Sequence, residues 1–263
     1  LPKRKQKKAP VPPAPARDSS RTPLYLVAGV ALVALTGVVF LITGKPAPRK
    51  VSFDVPPADG VLPTAAVTPP ADPTAPAKFQ EGVALAAQGD YKAAIAVFEE
   101  VLRLDPNAVG PRANIGKSYL ELGRPADAVR VYREALRRRP NDATLHDMLG
   151  VAYGQQGDYQ AALLSFENAI VFDPNLASAY NNAGMACIER RDYPRAIEML
   201  RKAIARQPTD IRAYANLARA YTEGGRPDQV KPLLDKLAAE NPDDPAAKQL
   251  IESLTGSAAP GAR

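Results

Sequence analysis

The sequence predicts an all-α fold: a solenoid of five repeated helical hairpins, followed by one capping helix. Three observations carry this. Prolines recur at 106, 140, 174, 208 and 242, each 34 residues after the last. Whole phrases recur with them: residues 89–107 read GDYKAAIAVFEEVLRLDPN and residues 157–175 read GDYQAALLSFENAIVFDPN, two periods apart. Within each period the apolar residues follow the 3.6-residue spacing of a helix face, not the alternation of a strand.

The chain reaches these repeats through three other segments. Residues 1–23 hold seven basic side chains (Lys3, Arg4, Lys5, Lys7, Lys8, Arg17, Arg21) against Asp18, which accounts for the whole net charge of +6. The remainder is balanced, so charge gives the repeats no reason to bind nucleic acid. The Lys- and Pro-rich tail is expected to be disordered and suits anionic lipid head groups. Residues 24–43, which Leu24 opens and Thr43 closes, read LYLVAGVALVALTGVVFLIT without a charge. As a helix they span about 30 Å, the thickness of a hydrocarbon core, and predict one transmembrane helix. Lys45 and prolines follow where a signal peptidase needs small residues, so an uncleaved anchor is expected. Seven basic residues precede it against Lys45, Arg49 and Lys50 after it, which places the N-terminus in the cytoplasm and the repeats outside. Residues 44–74 form a Pro-rich linker: nine prolines fall between 45 and 77, the composition of an extended, semi-rigid spacer.

Registering the chain on the periodic prolines gives units 75–108, 109–142, 143–176, 177–210 and 211–244. Position 8 is always small (Gly82, Gly116, Gly150, Gly184, Ala218), and position 20 is Ala94, Ala128, Ala162, Ala196 and Val230. Small residues there let the two helices of a unit approach closely. Position 24 carries a bulky wedge (Phe98, Tyr132, Phe166, Leu200, Leu234), and position 11 adds Leu85, Tyr119, Tyr153, Cys187 and Tyr221. Gly89, Gly123, Gly157 and Gly225 stand where a left-handed cap ends the first helix. Arg191 replaces that glycine in unit four, at a cost of about 1 kcal/mol if its backbone is left-handed. Pro125 and Pro227 fall at the start of second helices, where a missing N–H does no harm. Asn107, Asn141, Asn175, Thr209 and Asp243 are expected to cap the helix that follows each periodic proline. Pro232 is expected to kink the last second helix. Residues 245–255 read as the capping helix, and 256–263 as a disordered tail.

A 34-residue period with these small, bulky and turn positions resembles the tetratricopeptide repeat. The resemblance covers 75–244. It implies a right-handed α-solenoid whose first helices line an inner groove that binds a protein or peptide, with positions 2, 5, 6, 9, 12 and 13 facing it. On that basis the candidate groove residues are Asn114, Lys117, Asp147, Asn181, Asn182, Arg212, Asn216 and Arg219. Asparagines at position 6 form a ladder one repeat apart, and each amide has the donor and acceptor needed to hold an extended backbone. Some members of the family grip chaperone tails with a carboxylate clamp. Here Phe79, Val83, Thr144 and Met148 occupy clamp positions and only Asn114 matches, so that role is not expected.

Nothing in the chain reads as catalytic, and no cofactor or metal is expected. His146 is the only histidine and Cys187 the only cysteine, both at packing positions. Glu99–Glu100 and Asp243–Asp244 are adjacent pairs that diverge on a helix. Arg137, Arg138 and Arg139 suit a helix C-terminus. The expected protein is therefore a non-enzymatic, membrane-anchored scaffold for a protein or peptide partner. The Ala-, Arg- and Pro-rich composition suits a bacterium, with the repeats in the periplasm and a role in assembling a cell-envelope complex. The chain begins with Leu1, which leaves room for a second reading: a regulatory or sensory module of a larger enzyme, a kinase or transferase. A third is self-association through the solenoid surface.

Overall fold

The computed structural model describes residue 53 and residues 74–256. The expected basic tail (1–23), the membrane span (24–43), the linker apart from Phe53 and Thr74, and the end of the tail (257–263) lie outside the described residues. Among the described residues no helix is long and apolar enough to cross a membrane.

The repeat region is helical, with no strand among the described residues. Unit one is α1 (Ala75–Ala87) and α2 (Tyr91–Leu104); unit two is α3 (Gly110–Glu121) and α4 (Pro125–Leu136). Unit three is α5 (Ala143–Gln155) and α6 (Tyr159–Phe172); unit four is α7 (Ala177–Glu189) and α8 (Tyr193–Arg206). Unit five is α9 (Ile211–Glu223) and α10 (Val230–Glu240), and α11 (Pro245–Thr255) follows.

The recurring phrase is a turn, a cap and a packing helix. In GDY and RDY the aspartate is the cap: Asp90, Asp158 and Asp192 accept hydrogen bonds from the N–H groups of Ala93, Ala161 and Arg195 at 3.1, 3.0 and 3.3 Å. The residue before these caps is left-handed, as is the one before Arg124 and Arg226 in units two and five, with φ of 83°, 68°, 81° and 73° at Gly89, Gly123, Gly157 and Gly225. Arg191 takes φ 60° at the matching place in unit four, the strained conformation that the pattern anticipated. Arg191→Gly is expected to stabilise the protein by about 1 kcal/mol, read as a higher urea midpoint with an unchanged m-value.

The residues after the periodic prolines do not cap helices. The chain needs one or two more residues to turn, so the caps are Val109, Asp142, Leu176, Asp210 and Asp244. Asn107 and Asn175 instead donate their backbone N–H to Asp105 and Asp173 (3.0 and 2.9 Å), closing an Asx turn around the proline. Pro125 does open α4. Pro227 opens a single 3-10 turn, and α10 starts only at Val230. Pro232 therefore falls in the first turn of α10, where its missing N–H breaks no helical bond, and the expected kink has no cause.

Each hairpin is closed by a wedge. A Cβ at Gly82, Gly116, Gly150 or Gly184 would lie 2.4–2.6 Å from Phe98, Tyr132, Phe166 or Leu200 respectively. All four wedges are fully buried. The helices pack in chain order, and each first helix also packs on the next: α1 on α3, α3 on α5, α5 on α7, α7 on α9. Second helices do not pack on one another in this way; they meet through long side chains such as the Glu167–Arg195 ion pair. The first helices are thus the tighter, inner layer. At the far end α11 lies against α9 and α10 and buries Ala247, with Leu250 and Ile251 against the core.

Candidate functional site

The inner layer is built from α1, α3, α5, α7 and α9, and all eight candidate residues sit on it. The structure brings four of them into a row of hydrogen bonds between units. Asp147 on α5 accepts from Asn182 Nδ2 at 3.0 Å and from Ser178 Oγ at 2.8 Å, both on α7. Asn181 on α7 accepts from Asn216 Nδ2 on α9 at 2.9 Å. Asp147, Asn181 and Asn182 are fully buried, and Asn216 is half-buried.

One rule explains the row: position 5 of a unit meets position 6 of the next, 35 residues on. Polar residues meet polar residues at Asp147–Asn182 and Asn181–Asn216. One step earlier the same two places are Ala113 and Met148, both buried and apolar. Asn114, at position 6 of unit two, faces Phe79 by this rule, and its Nδ2 donates to the Gly110 carbonyl of its own helix (3.0 Å). The asparagine amides thus tie the inner helices to each other and fix their register. Ser178 was not among the sequence candidates. Its signal is its i,i+4 spacing from Asn182 on one face of α7.

The other candidates stand nearer to solvent. Lys117 on α3 is half-buried. Arg212 is exposed at the start of α9, where its Nε donates to the capping carboxylate of Asp210 (3.2 Å). Arg219 is clasped by two carboxylates, with Nη2 2.7 Å from Glu189 and Nε 2.8 Å from Glu223. Burial pulls the Arg219 guanidinium down, but the bonds to Glu223 and Glu189 more than offset it and hold it above its usual value. These two partners were not foreseen; Glu223 lies four residues from Arg219 and Glu189 thirty residues before it.

The chain's two soft nucleophile and ligand candidates are packing residues. His146 stacks on Phe172 (5.2 Å between centroids) and donates from Nε2 to the Pro140 carbonyl (2.8 Å). Cys187 is fully buried, and burial pushes its thiol up to about 11. Among the described residues no group of three or more His, Cys, Asp and Glu is placed to hold a metal ion.

Family comparison agrees with this architecture. One tetratricopeptide repeat model matches residues 85–151 and 187–254, and a second matches residues 143–176. No curated protein matches the chain. Among solved structures, the crystal structure of MamA protein is 25% identical with a TM-score of 0.56, covering 72% of this chain and 98% of that one. Another crystal structure of MamA is 28% identical with a TM-score of 0.55, over 61% of this chain and 94% of that one. A thermophilic TPR protein from Thermus thermophilus shares the fold at 22% identity and a TM-score of 0.57, over 69% of this chain and 98% of that one.

Proposed function

The chain belongs to the tetratricopeptide repeat family, and we propose that it is a protein-interaction scaffold holding an extended segment of a partner on its inner helices. One observation carries the reading: α1, α3, α5, α7 and α9 pack successively into one continuous layer, from which side chains project at one-repeat intervals. Asp147, Asn181 and Asn182 set the register of that layer. Asn114, Lys117, Arg212, Asn216 and Arg219 are the less buried candidates on the same layer. Lys117 and Arg212 favour a segment that carries carboxylates. Because cations at a binding surface act mainly on encounter and register, Lys117→Glu with Arg212→Glu is expected to weaken partner binding at least tenfold with helical circular dichroism retained. Unchanged binding by titration calorimetry sinks the reading.

We further propose that residues 24–43 anchor the scaffold in a membrane and that it serves assembly of a cell-envelope complex. The support is the 20-residue uncharged stretch and the excess of basic residues before it. Alkaline phosphatase fused after residue 77 is expected to be active in a bacterial host; a well-expressed but inactive fusion contradicts this topology.

A further inference from the structure

Ahead of the repeats, one described side chain is seated inside them. Phe53 is only 3% exposed and belongs to the same compact unit as the solenoid. Its ring lies 5.9 Å from that of Phe166 and 6.4 Å from that of Tyr159, tilted by 31° and 39°. Its floor is Gly154: a Cβ there would lie 2.2 Å from Phe53 Cε2 and 2.5 Å from Cζ.

Gly154 is the exception at its place in the repeat. Position 12 is Ala86, Leu120, Ile188 and Thr222 in the other units. In the flanking units Leu120 and Ile188 hold this place and are buried in the core. Gly154 is not in the positive-φ region, so no turn requires glycine there, and glycine inside a helix weakens it. What it provides is room. We propose that the gap between α5 and α6 at Gly154 is an aromatic socket, and that the chain's own Phe53 fills it, pinning the segment ahead of the repeats to unit three.

Chain length permits this within one molecule. Residues 54–73 separate Phe53 from Thr74 and reach up to about 70 Å when extended. Unit three lies two hairpins from unit one, with helix axes about 8–10 Å apart at each contact. The consequence is mechanical: any tether upstream of residue 53 acts on the middle of the solenoid, not on its first helix. This holds whether or not the inner layer carries a partner.

The chain has no tryptophan, so Phe53→Trp in the full-length protein gives a single reporter. Its emission is expected to be that of a buried indole, shielded from acrylamide and unchanged on dilution. Gly154→Leu in that background is expected to shift it to solvent-exposed emission with helical circular dichroism retained. A solvent-exposed spectrum with Gly154 intact, or no response to Gly154→Leu, overturns the proposal. Emission that changes with concentration also overturns it and assigns the socket to a second copy. With the native ring, Phe53→Ala is expected to lower the urea midpoint, and adding Gly154→Leu to restore it, because leucine supplies the apolar volume that the alanine leaves out. A Phe53→Ala midpoint equal to the parent contradicts the account independently of whether indole fits.

Discussion

Phe166→Ala is expected to destabilise the protein by about 3–5 kcal/mol, the range for emptying a fully buried aromatic site. Phe166 closes the third hairpin over Gly150 and also forms one wall around Phe53. Truncating it opens a cavity at the middle of the stack, where both neighbouring units depend on it. A solenoid's stability is close to a sum of unit and interface contributions, so a weak central unit also uncouples the two ends. Urea denaturation is therefore expected to show a lower midpoint and a smaller m-value. Phe166→Leu tests the cause. Leucine holds the same position in units four and five, so this change is expected to cost clearly less than Phe166→Ala, with cooperativity kept. Equal losses for both variants contradict the wedge role.

Asp147→Ala is the second large effect, at about 2–5 kcal/mol. The fully buried carboxylate accepts hydrogen bonds from Ser178 and Asn182. Removing it leaves the fully buried Asn182 amide without that acceptor, at about 1–3 kcal/mol, and also strips the half-buried Ser178 hydroxyl of its bond to a charged group. Asp147→Asn keeps an acceptor and is expected to cost less. One unit earlier the same two positions are apolar, Ala113 and Met148, and both are buried. Asp147→Ala with Ser178→Ala and Asn182→Met is therefore expected to recover most of the loss. Failure of that triple variant to recover, measured by the same denaturation, contradicts the pairing of positions 5 and 6.

Much of the fold was legible because it depends on local chemistry that the sequence repeats. Gly150 under Phe166 and Gly157 with positive φ each follow from residue type and spacing, whereas the aspartate caps such as Asp158 went unread beside the more regular residues after the prolines. The strain at Arg191 was legible for the same reason: four glycines elsewhere mark the conformation. The helix starts after the periodic prolines were less so, because Asp105 and Asp173 use their side chains to hold the turn and delay the helix. The asparagine row was legible as a row but not as a pairing. Aligning units at 34 residues suggests that position 6 stacks on position 6, whereas packing shifts neighbours by one, so Asn182 meets Asp147 and Asn216 meets Asn181. Phe53 was not legible at all. A lone aromatic among prolines carries no period, and Gly154 has meaning only once Phe53 is seen seated on it.

The central claim is that partners are held by the inner helices. Site-resolved photo-crosslinking in living cells tests it most directly. A benzophenone amino acid replaces Arg212 or Lys117 on the inner helices, or Leu164 or Val171, which are 58% and 71% exposed on α6. The account predicts that one partner crosslinks from Arg212 and Lys117 and not from Leu164 or Val171. Crosslinks to that partner from the α6 positions alone contradict it.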